Sequence, residues 1–500
     1  MMASDAHECT PPRRPVRAHR AGAAGLLLAM MVGCVGNIAH AAEGEPPPRL
    51  ADHEARGMRA VEPASSRATP TVVLAGGTVM TAAGEVHTPG YVVLVDGKIS
   101  EVGAGAPPKS NAVTVIDVSG RFVTPGIIDT HSHLGVYPSP GAKAHSDGNE
   151  MTGATTPGVW AEHSVWPQDP GWARALAGGV TALQVLPGSA NLIGGRGVVL
   201  QNVPARGSRG MRFPGAPETA KMACGENPKR VYGERGGPAT RMGNLRGHRA
   251  AFLAAEAHKK AWAEYEASLP DPGAEDGKRS KKKKKGGETA KDAPARDLDK
   301  ETLVGVLEGR ILPQIHCYRA DDMLSFLQLA DEFGFKVRSF HHALEAYKIR
   351  DVLAEREVSV STWADWWGFK MEAYDGILEN AALVHEAGAR AIIHSDSAEG
   401  IQRLNQEASK AYHAGLRAGI TLTEDDALRW ITLNPAWALG IDTVTGTLEA
   451  GKRGDVVVWS GHPLSVYSTA DLVFVGGALE WDSARPASWS DFELGQEVVP

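Results

Sequence analysis

Cysteine is scarce in this chain: four in 500 residues, two of which, Cys9 and Cys34, fall in an N-terminal stretch with the texture of a leader. Cys224 and Cys317 alone would serve the remaining 450 or so residues, which excludes a disulfide framework. A single bridge and two buried thiols both fit, two small core residues being the simpler account. A basic excess is lacking too. Lys and Arg number 52 against 59 Asp and Glu, a formal charge of −7, which makes the chain a poor generic partner for nucleic acid. Nor is there a membrane-length apolar run. The longest, AGAAGLLLAMMVGCVG, falls short of the roughly 18–20 residues a spanning helix needs.

That apolar run follows Arg13, Arg14, Arg17 and Arg20 and precedes Ala39-His40-Ala41, a small-x-small cleavage site. Residues 1–41 therefore read as a signal peptide and the protein as periplasmic or secreted. Met31-Val32-Gly33-Cys34 resembles a lipoprotein box, so a lipid anchor on Cys34 is the competing reading. Removing the leader, with its four arginines against Asp5 and Glu8, takes the formal charge from −7 to −9. Residues 42–70, rich in Pro, Ala, Arg and Glu without apolar periodicity, read as a flexible tether.

A composition of 43% hydrophobic and 22% charged residues over this length calls for a large core and more than one domain. From Thr71 short strands alternate with glycine turns, as in YVVLVDGKISEVG with its Asp-Gly turn, and the texture returns in GTLEAGKRGDVVVWSG and ADLVFVGGALEWD. Segments 71–124 and 444–485 are thus expected to form one small β-sandwich domain built from both chain ends. Between them, residues 125–443 alternate apolar runs with helical stretches, the pattern of a parallel sheet, and a (β/α)8 TIM barrel is the commonest answer at this length. A Lys-rich insertion at 270–300, with seven basic residues between Lys278 and Lys285 flanked by acidic ones, reads as a disordered, solvated segment; a polyanion-binding arm is the alternative.

The chemistry concentrates where apolar runs end. His131 and His133 close GIIDTHSH, and their i, i+2 spacing puts both on one face of a strand. His316 ends LPQIH, His342 closes FKVRSFHH and Asp396 follows AIIHS. A strand-helix unit takes about 30 residues. His316 and His342 stand 26 apart (342 − 316), one unit; His342 and Asp396 stand 54 apart (396 − 342), two units, with EVSVSTW as the strand between. Strands five, six and eight would then deliver His316, His342 and Asp396 to the C-terminal mouth of the barrel.

VTPGIIDTHSH, HCYRADD, HHALEAYK, HSD, NPAWALGI and the closing GTLEAGKRGDVVVW together resemble the amidohydrolase superfamily, near its imidazolonepropionase-like and prolidase-like branch, over residues 71–485. The resemblance implies a metal-dependent (β/α)8 barrel beside a β-sandwich. By that resemblance His131, His133, His316 and His342 would be metal ligands, and Asp396 a ligand and proton-transfer group. Imidazoles with a carboxylate suit Zn²⁺, Fe²⁺ or Mn²⁺ being the alternatives. A second ion needs a bridging anion. Glu226 in KMACGENPKR is the expected ligand for that role, with Lys221, as a carbamate, the rival; a helix N-terminal carboxylate is the plain reading of Glu226.

His341 competes with His342, since adjacent strand residues face opposite ways; His342 is preferred because it matches the family's His-x-x-Glu-(Ala/Gly)-Tyr-Lys pattern, leaving His341 structural. His394 reads as a pocket neighbour, and His145 and His163 as surface or lid residues. Tyr318, Arg319 and Tyr347, just past the strand ends, are substrate-binding candidates. The aromatic stretch WADWWGF either walls the pocket or packs the core, and SANLIGGRG reads as a tight loop rather than a phosphate cradle. The expected activity is hydrolysis of a non-peptide carbon-nitrogen bond in a small linear or cyclic amide. A prolidase-like dipeptidase is the rival within the class, and a non-catalytic binding barrel the rival outside it.

Overall fold

In the strand-rich N-terminal part, Asp96 and Gly97 take positive φ (49° and 80°), so the chain reverses in two residues and joins β2 (Val86–Val95) to β3 (Lys98–Ala104) in antiparallel register. The computed structural model describes residues 49–57, 69–108, 114–269 and 292–485. β2 and β3 belong to an eight-stranded sheet with β1 (Val72–Met80), β4 (Thr114–Asp117) and β5 (Phe122–Pro125). The C-terminal strands β14 (Val456–Trp459), β15 (Ala470–Val475) and β16 (Ala478–Asp482) complete it, β14 pairing antiparallel with β5. Leu74, Val92, Leu94, Ile99, Val123, Val456, Val458 and Phe474 form this sheet's own apolar cluster.

A second eight-stranded sheet curls into a nearly closed barrel, its strands in chain order: β6 (Ile127–Ser132), β7 (Val180–Val185), β8 (Ile193–Gln201), β9 (Glu218–Ala223), β10 (Ile311–Cys317), β11 (Ser339–His342), β12 (Ser359–Thr362) and β13 (Ala391–Ile393). The amide of Asp396, just past β13, donates to the carbonyl of His131 in β6 at 2.9 Å and draws the two edges together. Most of the large apolar core lies between these strands and the surrounding helices.

The barrel departs from uniform strand-helix alternation at β8, which runs antiparallel to both neighbours. Only residues 186–192 join β7 to β8, and a parallel crossover needs a dozen or more. The GGRG segment is therefore strand rather than tight loop. At Gly195 (φ 116°) a Cβ would lie 2.4 Å from the Val159 carbonyl, so only glycine lets these backbones approach.

Two other expectations need correction. Part of the expected tether is helical: Leu50–Gly57 packs Leu50 against Trp262 and Tyr265 of the long helix Arg241–Glu266. Cys224 and Cys317, for which two buried thiols were the simpler of two open readings, are disulfide-bonded between adjacent strand ends, with Cα atoms 5.3 Å apart. Residues 1–41 and the Lys278–Lys285 run lie outside the described residues, whereas Asp297, within the expected insertion, caps helix Leu298–Leu307. Among the described residues no helix is long and apolar enough to cross a membrane.

Candidate metal centre

Strand β6 is buried at every position and carries the first imidazole, His131, one residue before its end. That imidazole is oriented by a relay. Gln314 donates its amide Nε2–H to the Ala438 carbonyl (3.1 Å), so its Oε1 accepts from His341 Nε2 (2.7 Å). A neutral His341 then has only a lone pair on Nδ1, which lies 3.0 Å from His131 Nδ1. His131 must donate there, leaving its Nε2 lone pair facing the barrel mouth. His133 is fixed similarly, its Nδ1 donating to the Leu186 carbonyl at 2.8 Å.

Burial, followed by the charge of Lys221 or of neighbouring histidines, holds His131, His316, His341 and His342 well below the usual imidazole range. Burial likewise lowers His394 to about 3. These rings are neutral near pH 7, the state a metal ligand needs. Burial pushes the Asp396 carboxyl up, but the His133 hydrogen bond and the charges of His133, His394 and Lys221 outweigh it and hold it below its ordinary value.

Asp396 Oδ1 stands 3.1 Å from His133 Nε2 and 3.6 Å from His131 Nε2, and its Oδ2 stands 3.9 Å from His342 Nε2. Two sets of ligand atoms fall within 4.8 Å of one another: His131, His133 and Asp396, and His131, His342 and His394. His316 adjoins them, its ring 4.6 Å from that of His342. Nδ1 of His316, Nδ1 of His342 and both nitrogens of His394 are buried without a hydrogen-bond partner. Ring nitrogens and a carboxylate gathered in two sets that share His131, beside orphaned ring nitrogens, call for a cation. The donor set therefore fits a divalent metal.

The backbone helps to build this point. β10 and β11 pair His316 with His341 in register, which puts those two on one face and would turn His342 away. His342 instead takes φ 68° and Asp396 φ 47°. Left-handed backbone costs a residue other than glycine roughly 1–3 kcal/mol, and here it brings both side chains into the cluster. Asp129, which burial pushes up to about 6, accepts from the amides of His131 and Ser395 (both 3.1 Å) and from the Ser395 hydroxyl. It thereby couples the first strand to the loop that carries Asp396.

Glu226 is not brought into the cluster. It begins helix Glu226–Tyr232, beyond the end of β9, and its carboxylate pairs with Lys370 at 3.3 Å. The group from β9 that does arrive is Lys221, fully buried, with Nζ 3.3 Å from His131 Nε2 and 3.1 Å from the Pro187 carbonyl. Burial pushes its amine down to about 8. A lysine inside a buried strand was the available signal. Of the substrate candidates, Tyr318 stacks 5.3 Å from His342, whereas Arg319 is engaged by Asp321 and the Tyr347 hydroxyl by the Asp375 carbonyl. A cavity of about 520 Å³ opens beside the cluster at Pro187, lined also by Val136, Asp147, Glu150, Trp160 and His163.

A profile of the Amidohydrolase family matches residues 372–482. Over 413 residues the chain is 32% identical to a protein named amidohydrolase tasK from Hapsidospora irregularis, covering 79% of this chain but 39% of that protein's length. It is 25% identical over 420 residues to the 5-methylthioadenosine/S-adenosylhomocysteine deaminase of Symbiobacterium thermophilum, covering 77% of this chain and 84% of the deaminase. The crystal structure of an amidohydrolase from Thermotoga maritima MSB8 superposes with a TM-score of 0.72 at 32% identity, covering 82% of this chain and 100% of that one. With that identity sustained across the whole of the Thermotoga protein, the chain belongs to the amidohydrolase family.

Proposed function

We propose that this chain is an exported, metal-dependent hydrolase of carbon-nitrogen bonds other than ordinary peptide bonds, acting on a small linear or cyclic amide. The observation that carries this is the approach of a carboxylate, Asp396, to the Nε2 atoms of His131 and His133. His131, His133, His316, His342 and Asp396 would hold the ion, Zn²⁺ by its donor set with Fe²⁺ or Mn²⁺ as alternatives. Such an ion, when bound, supplies Lewis acidity that acidifies water and polarises an amide carbonyl. Asp396, 24% exposed and ionised at neutral pH, takes the proton of the attacking water and returns it to the departing nitrogen, which leaves poorly as an unprotonated amine. The His341–Gln314 relay keeps the His131 lone pair aimed, and Leu186 does the same for His133.

Lys221 supports a two-ion version of the site. An amine near 8 is partly neutral at physiological pH and can add to CO2, forming an N–C bond and releasing a proton to solvent. A carbamate there would supply the anion that two adjacent cations need. The leader composition supports export, and the sheet drawn from both chain ends supports reading it as a composite β-sandwich domain beside the barrel.

The test is hydrolysis of a panel of amides, cyclic amides and dipeptides before and after chelation. Chelator-sensitive cleavage of an amide, restored by Zn²⁺, is expected. Cleavage of dipeptides alone would assign the chain to the dipeptidase class, and no cleavage of any substrate would contradict the enzyme reading.

A further inference from the structure

A ladder of aromatic rings leads from the imidazole cluster to solvent. Trp363, following β12, stacks on His342 with centroids 4.3 Å apart and planes at 25°. Trp366 stacks on Trp363 at 5.5 Å and 30°, and Phe369 meets Trp363 edge-on at 5.9 Å. Tyr318 closes the inner side, 5.3 Å from His342 and 6.1 Å from Phe369. The inner rings are buried, Trp363 and Tyr318 being 7% and 5% exposed, whereas Trp366 and Phe369 remain 41% and 56% exposed. Contiguous apolar surface left open at the edge of a polar site is available for a ligand to cover.

The ladder is held in place. Trp363 Nε1 donates to the Ser395 carbonyl at 3.0 Å, one residue before Asp396. Glu372, 5% exposed, accepts from the Glu226 amide and from Arg241, tying the far end of the segment to the helix after β9. Lys370 lies 4.2 Å over the Tyr318 ring, but Glu226 neutralises it at 3.3 Å. The surface offered beside the cluster is thus held in place and planar, and the cation over it is paired, which suits a flat apolar group.

We propose that Trp363, Trp366, Phe369 and Tyr318 form a subsite for an aryl ring carried by the amide substrate. This rests on the amide-hydrolase reading and names its substrate class: an amide with a neutral aromatic substituent close to the scissile bond. Trp366 and Phe369 are the specificity-determining residues, because their exposed faces are free to be covered.

The experiment compares matched pairs, phenylacetamide with propionamide and 5-phenylhydantoin with 5-methylhydantoin, on the full chain and on Trp366→Ala and Phe369→Ala. Tyr467→Ala, 92% exposed and in the C-terminal strand region, serves as the control. The aryl member should be preferred roughly 10-fold or more in kcat/KM, the scale on which apolar pockets discriminate. Both ladder variants should bring that ratio toward one, and the control should leave it alone. Equal use of aryl and alkyl members, or a ratio indifferent to both substitutions, would overturn the subsite. If no amide is cleaved, the reaction class fails separately, and calorimetry of phenylacetamide still reads the subsite. Saturable binding weakened by Trp366→Ala supports it; absent or unaltered binding overturns it. An unchanged ratio with sedimentation on phosphatidylcholine vesicles that Trp366→Ala abolishes would overturn it in favour of a lipid surface.

Discussion

Two strands of four residues, each buried at every position, have opposite chemistry: Ser339-Phe340-His341-His342 in the barrel and Val456-Val457-Val458-Trp459 in the other sheet. In the second, Val456 and Val458 fill the sheet's own core while Val457 and Trp459 join the large cluster shared with the barrel. Only Phe340 of the first does so. Ser339 and His341 instead spend their burial on hydrogen bonds to Ser361 and Gln314, and His342 on a strained approach to Asp396. Equal burial therefore carries different free energy. Apolar burial stabilises by roughly 25 cal/mol per Å², while a buried polar group left unpartnered costs about 1–3 kcal/mol. One region holds the fold, and the other holds a function that the fold tolerates.

Substitutions in the two regions should separate these roles. At the barrel mouth, Asp396→Asn keeps the shape and removes both the proton carrier and a charged candidate ligand. It should lower kcat by roughly 10²–10⁴-fold while circular dichroism and Tm stay near the parent values. A similar fall in Tm would show that the carboxylate is structural. In the other sheet, Leu74→Ala, at a fully buried position, should lower unfolding free energy by about 2–5 kcal/mol in denaturant titration, with kcat per folded molecule unaltered. A change in kcat would show that the two regions are coupled.

The smallest effect sharpens the contrast through pH. His248, buried and bonded through Nε2 to the Ala223 carbonyl, is pushed by burial to about 4, against about 6.5 in the unfolded chain. Its folded value is depressed, so between pH 6.5 and 4 the unfolded state binds the extra proton. Its contribution is fully present above pH 6.5 and is lost as pH falls toward 4, at about 1.4 kcal/mol per pH unit. His248→Gln, which retains an N–H donor, should flatten the acid limb of stability against pH by about one proton. An unaltered slope would mean that His248 is not held neutral.

Much of this site was legible because strand ends are legible. The 26- and 54-residue intervals place His316, His342 and Asp396 at the ends of barrel strands five, six and eight, as found here, and the Asp96-Gly97 turn announces its hairpin. What was missed has physical causes. Glu226 lies beyond the strand, whereas strand phase turns its rival inward: Lys221 pairs with Gln314 and Ala223 with His316, so the inward face of β9 carries Lys221. Alternation alone would have turned His342 away, and no residue type announces its positive φ. The reversal of β8 leaves no mark in the sequence pattern, because an antiparallel strand has the same period as a parallel one. The Cys224–Cys317 bond joins residues 93 apart through a strand pairing that spacing does not reveal.

The most direct test of the central claim is the metal content of the purified protein, measured by elemental analysis beside Lys221→Met and Glu226→Gln. A divalent metal bound to the parent and to Glu226→Gln, and reduced or lost in Lys221→Met, is the result that follows from a histidine-aspartate centre completed by Lys221. Metal-free parent protein that also fails to take up Zn²⁺, or metal lost with Glu226→Gln and kept by Lys221→Met, would contradict it.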